Sequence, residues 1–454
     1  MLTPLDYGII AIYIIIVLIV GLFSGKKETD EEFLIAGRNL NFLNTAVTFF
    51  VNKVGAGILL TYSALVYLYG ASAIWYFVGA IFGYFIFYFF AKKLKKLADE
   101  KSYYTLADYF FDQKGKLAGT LVSLVVVISM LGWVVVNFTG GAKIITEYSN
   151  ISFEMAIIIM GIVVLSYLTI GGFKAVVKTD FIQAIGLFTI LGLIVLTLLF
   201  NFSRFSEINI DFLNIPLGQI LNFFLAGILF PFASAELWQR VYATKNLENL
   251  KKGLIIGSVM YVFVGILLML IGLIIKTSLP NLTTDIILVV GLNKLLPIGL
   301  AGLPIIVFCF AAMSSTDTYL FSSNSSLVQD LLLKFNFIKK ENLLKTMRMS
   351  FVLLAVLAII LSIAIHNLVN TTFFFVSLMM SLGLLILIIW INPKINKYSV
   401  NISILLSFIG VILLAAFRGI STSLVVYSLG LSIVGIIIGS IINFLKSPRK
   451  ISIR

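Results

Sequence analysis

The long apolar runs of the chain are mostly leucine, isoleucine, valine and phenylalanine, and four short stretches carry the residues that could do chemistry. The first is Asn52-Lys53-Val54-Gly55-Ala56-Gly57, in the middle of a long apolar run. Two glycines weaken a helix there and uncover backbone carbonyls that can hold an ion or a substrate, so a broken helix is expected. A lysine near mid-membrane costs about 2.5–3.5 kcal/mol on insertion scales, so Lys53 requires an acidic partner, water or a function. The plainer alternative is that Gly55 and Gly57 only let helices approach closely.

The second stretch is Phe230-Pro231-Phe232-Ala233-Ser234-Ala235-Glu236, where the proline removes a backbone donor and Glu236 adds a charge. A second break is expected here, against the alternative of a simple kink with Glu236 at the inner interface beside Arg240. The third, Ser314-Ser315-Thr316-Asp317-Thr318 followed by Ser322, Ser323, Asn324, Ser325 and Ser326, is a dense set of hard oxygen ligands. Oxygen without thiolate or imidazole suits small hard cations, although serines also serve helix packing. The fourth runs from Gly171-Gly172-Phe173-Lys174-Ala175-Val176-Val177-Lys178 to Thr179-Asp180-Phe181-Ile182-Gln183 and reads as a cytoplasmic turn entering a helix. Asp180 could there be an ordinary acid of a helix N-terminus.

The elements that must position these residues follow from composition. Of 454 residues 60% are hydrophobic and 12% charged, and the mean hydropathy is +1.09, outside the range of a domain that presents a charged surface to water. A bilayer core of roughly 30 Å needs about 20 apolar residues per helix. Thirteen such runs occur, at about 6–24, 42–69, 72–98, 117–147, 153–170, 175–201, 216–243, 250–276, 299–333, 345–365, 369–391, 398–417 and 422–446. Backbone in hydrocarbon must satisfy its own hydrogen bonds, and runs this long do so as helices rather than barrel strands. The fold class is therefore an all-α integral membrane bundle. The first apolar run has Asp6 before it, no basic region and no small-residue cleavage site, so it reads as a retained helix.

The net charge of +13 sets topology and implies no nucleic acid. With the N-terminus outside and the C-terminus in the cytoplasm, 27 of the 33 basic residues fall in inner loops, from Lys26, Lys27 and Arg38 to Arg449, Lys450 and Arg454. Arg240 is counted among these inner-loop charges, and Lys53 and Lys143 are the two left within helices. Inner loops of about 15–25 residues are too short for a separate domain, and no G-x-x-x-x-G-K-[ST] phosphate loop occurs, so ATP-driven pumping by this chain is not expected. The single Cys309 allows no internal disulfide, and His366 reads as a solvated interfacial residue. No cofactor is implied. The near absence of His and Cys leaves an enzyme only carboxylate, serine and lysine chemistry, and an enzyme is not expected. A channel needs a pore usually completed by subunit symmetry, whereas two breaks in one chain suit a rocking bundle. A transporter that meets a small-molecule substrate and the lipid bilayer of the cell membrane is expected; its apolar faces meet lipid and do not by themselves indicate a partner, which leaves the oligomeric state open.

At residues 171–183 the chain resembles the sodium/solute symporter family, whose signature is G-G-x-[KR]-A-V-x-x-T-D-x-x-Q. Gly37-Arg38-Asn39-Leu40, Gln239-Arg240-Val241-Tyr242-Ala243 and the serine-rich run 311–330 are similar to further segments of that family. The resemblance implies a LeuT-type fold: one extra helix at 6–24, inverted five-helix repeats at 42–201 and 216–391, and two helices at 398–446. It implies alternating access with sodium as the coupling ion. The family's conserved sodium site would use the carbonyls of Val51, Val54 and Ala311 with the hydroxyls of Ser314 and Ser315. A second site known in some members would use Asp180, Ser314, Asp317 and Thr318. Lys53 falls beside these sites where some members carry an acidic or small polar residue. Either it pairs with Asp317 or Asp180 and sodium binds nearby, or its ammonium replaces the ion and the carrier is proton-coupled or ion-independent.

Residues of the two breaks should line the substrate cavity: Asn52, Gly55, Gly57, Phe230, Ser234 and Glu236, with Trp133, Asn137 and Phe374 as further candidates. Gly227 and Pro231 stand where proline-transporting relatives carry aromatic residues, which does not support proline as the substrate. Family substrates include sugars, amino acids, carboxylates, vitamins and small ions.

Overall fold

A computed structural model describes residues 4–24, 29–282, 286–297, 300, 302–365, 367–421 and 423–446. Lys26, Lys27, His366, Arg449, Lys450, Arg454 and the side chain of Asp6 lie outside what is described. The described chain is helical, and its one β-type contact is an isolated bridge between Leu40 and Thr244. There Leu40 N–H donates to Ala243 O at 3.0 Å and Lys245 N–H to Leu40 O at 2.9 Å, tying the approach to the first break to the exit of the second.

Nine helices among the described residues are long and apolar enough to cross a membrane, or ten with one bent pair taken as a single span. The count differs from the thirteen runs of the sequence because the first run and the start of the second are shorter apolar helices, Tyr7–Gly21 and Phe42–Val51. In addition, segments read as separate run on. Residues 153–170 and 175–201 form one helical stretch, Phe153–Asn201, whose only non-helical residue is Gly172 (φ 51°, ψ −150°). The expected cytoplasmic turn is thus one residue. A side chain there would be strained by φ, and its Cβ would meet the Phe33 ring at 2.6 Å. Similarly, a 3₁₀ turn, Gly70–Ile74, carries Ala56–Tyr69 on into Trp75–Lys101.

Leu303–Ser325 is the central rod, with residues 310–325 all buried. It packs against Lys116–Tyr148 and Phe153–Asn201, so the serine-rich face points at protein and not at lipid. Beyond it a π-helical turn, Ser326–Leu333, brings Asp330 to Thr105, whose hydroxyl donates to it at 2.8 Å. Leu217–Ala233 crosses Trp75–Lys101 at glycines. A Cβ on Gly227 would stand 2.1 Å from Tyr76 O, so position 227 is a helix crossing in this chain. Lys397–Arg418 and Leu424–Lys446 pair through Ser403 and Ser432, whose hydroxyls lie 2.7 Å apart, and Ser432 donates to Ser381 O at 3.3 Å.

Candidate functional site

The helix that opens at Phe42 stops at Val51, and a new one starts at Ala56. Between them Asn52, Lys53, Val54 and Gly55 are non-helical, with Lys53 N–H donating to Phe50 O and Val54 N–H to Val51 O, both at 3.1 Å. Gly55 is extended (φ −78°, ψ 174°), a conformation open to any residue. Space is what demands glycine, because a Cβ would lie 2.5 Å from Ser315 Oγ and 2.6 Å from Asn137 Oδ1. The break is therefore real and does more than permit helix packing.

The serine-rich rod docks on this break. Ser314 Oγ lies 3.3 Å from Val51 O and 3.1 Å from Ala311 O, and Ser315 Oγ donates to Asn52 O at 2.8 Å. Of the five residues implied for the conserved sodium site, Val51, Ala311, Ser314 and Ser315 converge around one turn. Val54 is buried on the same turn and gives its N–H to Val51. Carbonyl and hydroxyl oxygens in this arrangement can replace the hydration shell of a small cation.

The second break falls at Ser234 (φ −81°, ψ 94°), three residues beyond Pro231, and the two helices it joins, Leu217–Ala233 and Ala235–Ala243, are bent by 46°. Pro231 itself stays inside the first of them. Glu236 is in the first turn of the second helix and fully buried inside the bundle. Lys53 forms a salt bridge with it, donates to Ser234 Oγ at 2.7 Å and lies 4.5 Å from the Phe230 ring centroid. The partner expected for Lys53, Asp317 or Asp180, is thus replaced by Glu236, because the unwound turn aims the lysine across the bundle at the other break.

Asp180 is fully buried, so it does not serve as a helix-end acid. It accepts from Thr48 Oγ1 and pairs with Arg240 at 3.4 Å. Arg240, counted from the sequence among inner-loop charges, is fully buried as well. It also donates to Thr48 O at 3.1 Å, Glu236 O at 3.0 Å and Thr318 Oγ1 at 2.8 Å. In the second implied ion site a guanidinium therefore bridges Asp180 and Thr318. Asp317 accepts from Tyr167 O–H at 2.6 Å and makes no salt bridge among the described residues.

Trp133, Asn137 and Gly57 meet at the same place, since a Cβ on Gly57 would touch Val136 and Trp133 at 2.8 and 3.3 Å. Trp133 stacks on Tyr319 (5.7 Å, 30°) and stands edge-on to Phe230 at 6.4 Å. Tyr319 O–H donates to Asn52 O at 3.3 Å. Phe374 is half-buried and its ring packs on Phe375, which fills the space beside Gly132. Sequence reasoning missed Thr48, Tyr167 and Tyr319. Thr48 lies four residues before Asn52 and Tyr319 four after Ser315, so helical spacing from the chosen residues would have found two of them.

Two discontinuous helices facing each other across a polar, charge-bearing centre, inside an apolar bundle, define a LeuT-type secondary transporter. Residues 33–391 match the family described as "Sodium:solute symporter family", and the chain belongs to that family. It is a multi-pass membrane protein and a secondary active transporter, sodium-coupled as its family is. The chain is similar to a sodium/pantothenate symporter of Haemophilus influenzae, 28% identical over 389 residues that cover 78% of each chain. It is also similar to a sodium/proline symporter of Staphylococcus aureus, 22% identical over 378 residues that cover 78% of this chain and 73% of the relative. Among solved structures, a substrate-bound, outward-open Na⁺-coupled sialic acid symporter superposes with a TM-score of 0.80 over 97% of this chain and 98% of that one, at 18% identity. A nucleobase-cation-symport-1 family transporter gives 0.60 over 90% and 93%, at 12% identity. At these identities the likeness shows the fold alone.

Proposed function

We propose that the chain carries one sodium ion with each small polar solute by alternating access, and that the ion neutralises Asp317 while the Val51 and Ala311 carbonyls and the Ser314 hydroxyl strip its water. One observation carries this reading. In the buried cluster two cations, Lys53 and Arg240, face three carboxylates, Asp180, Glu236 and Asp317, and the two salt bridges leave Asp317 as the carboxylate with no cationic partner among the described residues. An uncompensated charge in a low-dielectric interior costs several kcal/mol by rough estimate, so it attracts a monovalent cation. Ser315, which donates to Asn52 O, and Thr318 and Asp180, which share Arg240, are assigned to the same site, with Val54 on its turn.

The repeats at 42–201 and 216–391 supply the two rocking bodies, each with one broken helix. The basic inner loops support an N-terminus outside and a C-terminus in the cytoplasm, in the cell membrane. The rival in which the Lys53 ammonium replaces the ion is disfavoured, since that ammonium engages Glu236 and Ser234 rather than Ser314.

The test is uptake into proteoliposomes of pooled labelled sugars, amines, amino acids and organic acids under an imposed sodium gradient and, separately, a proton gradient. Sodium-driven uptake moving one ion per solute is expected. Uptake driven only by protons, or indifferent to both gradients, would overturn the ion assignment.

A further inference from the structure

We propose that the solute taken by this site is rich in hydrogen-bond donors and carries no carboxylate: a polyhydroxyl, amino or amide compound, neutral or cationic. The inference rests on the symport reading and adds the substrate's chemistry to it.

It comes from following each polar hydrogen between the two breaks to its acceptor. Asn52 Nδ2 donates to Thr48 O at 2.7 Å and Asn137 Nδ2 to Trp133 O at 2.8 Å, each turned back on its own helix. Only the amide nitrogen can face a carbonyl, so these contacts fix which end of each amide is which. Trp133 Nε1–H points at Met379 Sδ at 2.8 Å. The Ser315 and Tyr319 hydroxyls both donate to Asn52 O, and the Ser234 hydroxyl donates to Phe230 O at 2.8 Å. Lys53 spends its ammonium on Glu236, Ser234 and the Phe230 ring. Each of these donor atoms already has an acceptor, with one N–H left over on each of the two amides.

Acceptors remain. Asn52 Oδ1, Asn137 Oδ1 and Glu236 Oε2 are buried and without a hydrogen-bond partner. Asn137 Oδ1 lies in the crowded space beside Gly55, and Glu236 Oε2 belongs to the carboxylate that joins the two breaks. The unpartnered hydroxyls of Tyr62, Ser63 and Tyr84 do not reverse this balance, since a hydroxyl rotates to accept as readily as to donate.

A buried acceptor left unpaired costs about 1–3 kcal/mol, so a solute that brings N–H or O–H groups regains that loss on binding. A carboxylate would bring further acceptors to a centre that already has too many. Both cations of the cluster are already paired, Lys53 with Glu236 and Arg240 with Asp180, so a solute carboxylate would have to displace one of these acids. Trp133, Tyr319 and Phe230 supply aromatic faces that suit ring edges, CH groups or a cation.

The test uses the full chain in proteoliposomes with the sodium gradient above and a panel that includes matched pairs differing at the carboxylate: pantothenate and panthenol, proline and prolinol, together with sugars, polyols and polyamines. The transported solutes are expected to lack a carboxylate. Within a matched pair the alcohol should compete at least about tenfold better than the acid, the ratio one charge-assisted hydrogen bond corresponds to. Glu236→Gln, which frees the Lys53 ammonium, should move that preference about tenfold towards the acid. A transported solute whose carboxylate is required for uptake, or a Glu236→Gln variant whose acid-to-alcohol preference is unchanged, would overturn the proposal and leave the symport reading standing. Failure to move any member of the panel would instead overturn the symport reading.

Discussion

The Lys53–Glu236 salt bridge joins the two broken helices, and its energetics can be tested as a thermodynamic cycle. Both residues are fully buried, and the pair's further contacts are Ser234 Oγ and the Phe230 ring. Lys53→Met leaves a buried carboxylate whose Oε2 already has no partner, and Glu236→Gln leaves a buried ammonium with a neutral neighbour. Removing one member of a buried pair costs about 3–5 kcal/mol, while replacing both by groups of similar volume is often neutral. The double variant, Lys53→Met with Glu236→Gln, should therefore lie within about 1 kcal/mol of the native protein, and the interaction energy from the cycle should be about 5 kcal/mol or more. Reversible unfolding of purified protein in mixed micelles by graded denaturant measures all four corners. Single variants that each cost less than about 1 kcal/mol and simply add would refute the reasoning. The two breaks would then be held together by packing alone.

Asp317→Asn removes that carboxylate's negative charge, and uptake should lose its sodium dependence with little loss of folded protein, measured as flux against external sodium; an unchanged sodium response would remove Asp317 from the ion pathway. Gly55→Ala places a methyl group 2.5 Å from Ser315 Oγ and 2.6 Å from Asn137 Oδ1. It should cost about 1–3 kcal/mol of stability and cut uptake by about a hundredfold or more, because it separates the first break from the rod that docks on it. Gly172→Ala puts a side chain at φ 51°, ψ −150° and against the Phe33 ring. The backbone alone costs about 1–3 kcal/mol, so a clear loss of thermal stability in detergent is expected, and a melting curve like that of the native protein would refute the assignment.

Much of this architecture was legible in the chain. Long apolar runs require helices in a bilayer whatever their neighbours are, and Gly55 with Gly57 weakens a helix through its own backbone; both effects are local. The signature at 171–183 singles out Asp180, which the fold buries against Thr48 and Arg240. Pro231 marked the second interruption to within three residues, although the chain unwinds at Ser234, where Lys53 supplies a hydrogen bond from the opposite break. Gly172 looked like part of a loop because two glycines and a lysine usually make one. It is a single reversed residue because Phe33, from 139 positions earlier, packs on its bare Cα.

What the sequence determined by itself was the solvent of each segment, the helical class, the two breaks and the oxygen-rich rod, since these depend on composition and on neighbours a few residues away. Which charge meets which was decided only in three dimensions. Lys53 could reach any of several acids on paper, and it meets Glu236, 183 residues away, because the bend at Ser234 delivers that carboxylate to the first break. Arg240 reads as a loop charge until the Ala235–Ala243 helix turns inward and packs it between Thr48, Asp180 and Thr318. Pairing of buried charges is a property of how distant helices pack, and local patterning cannot hold it.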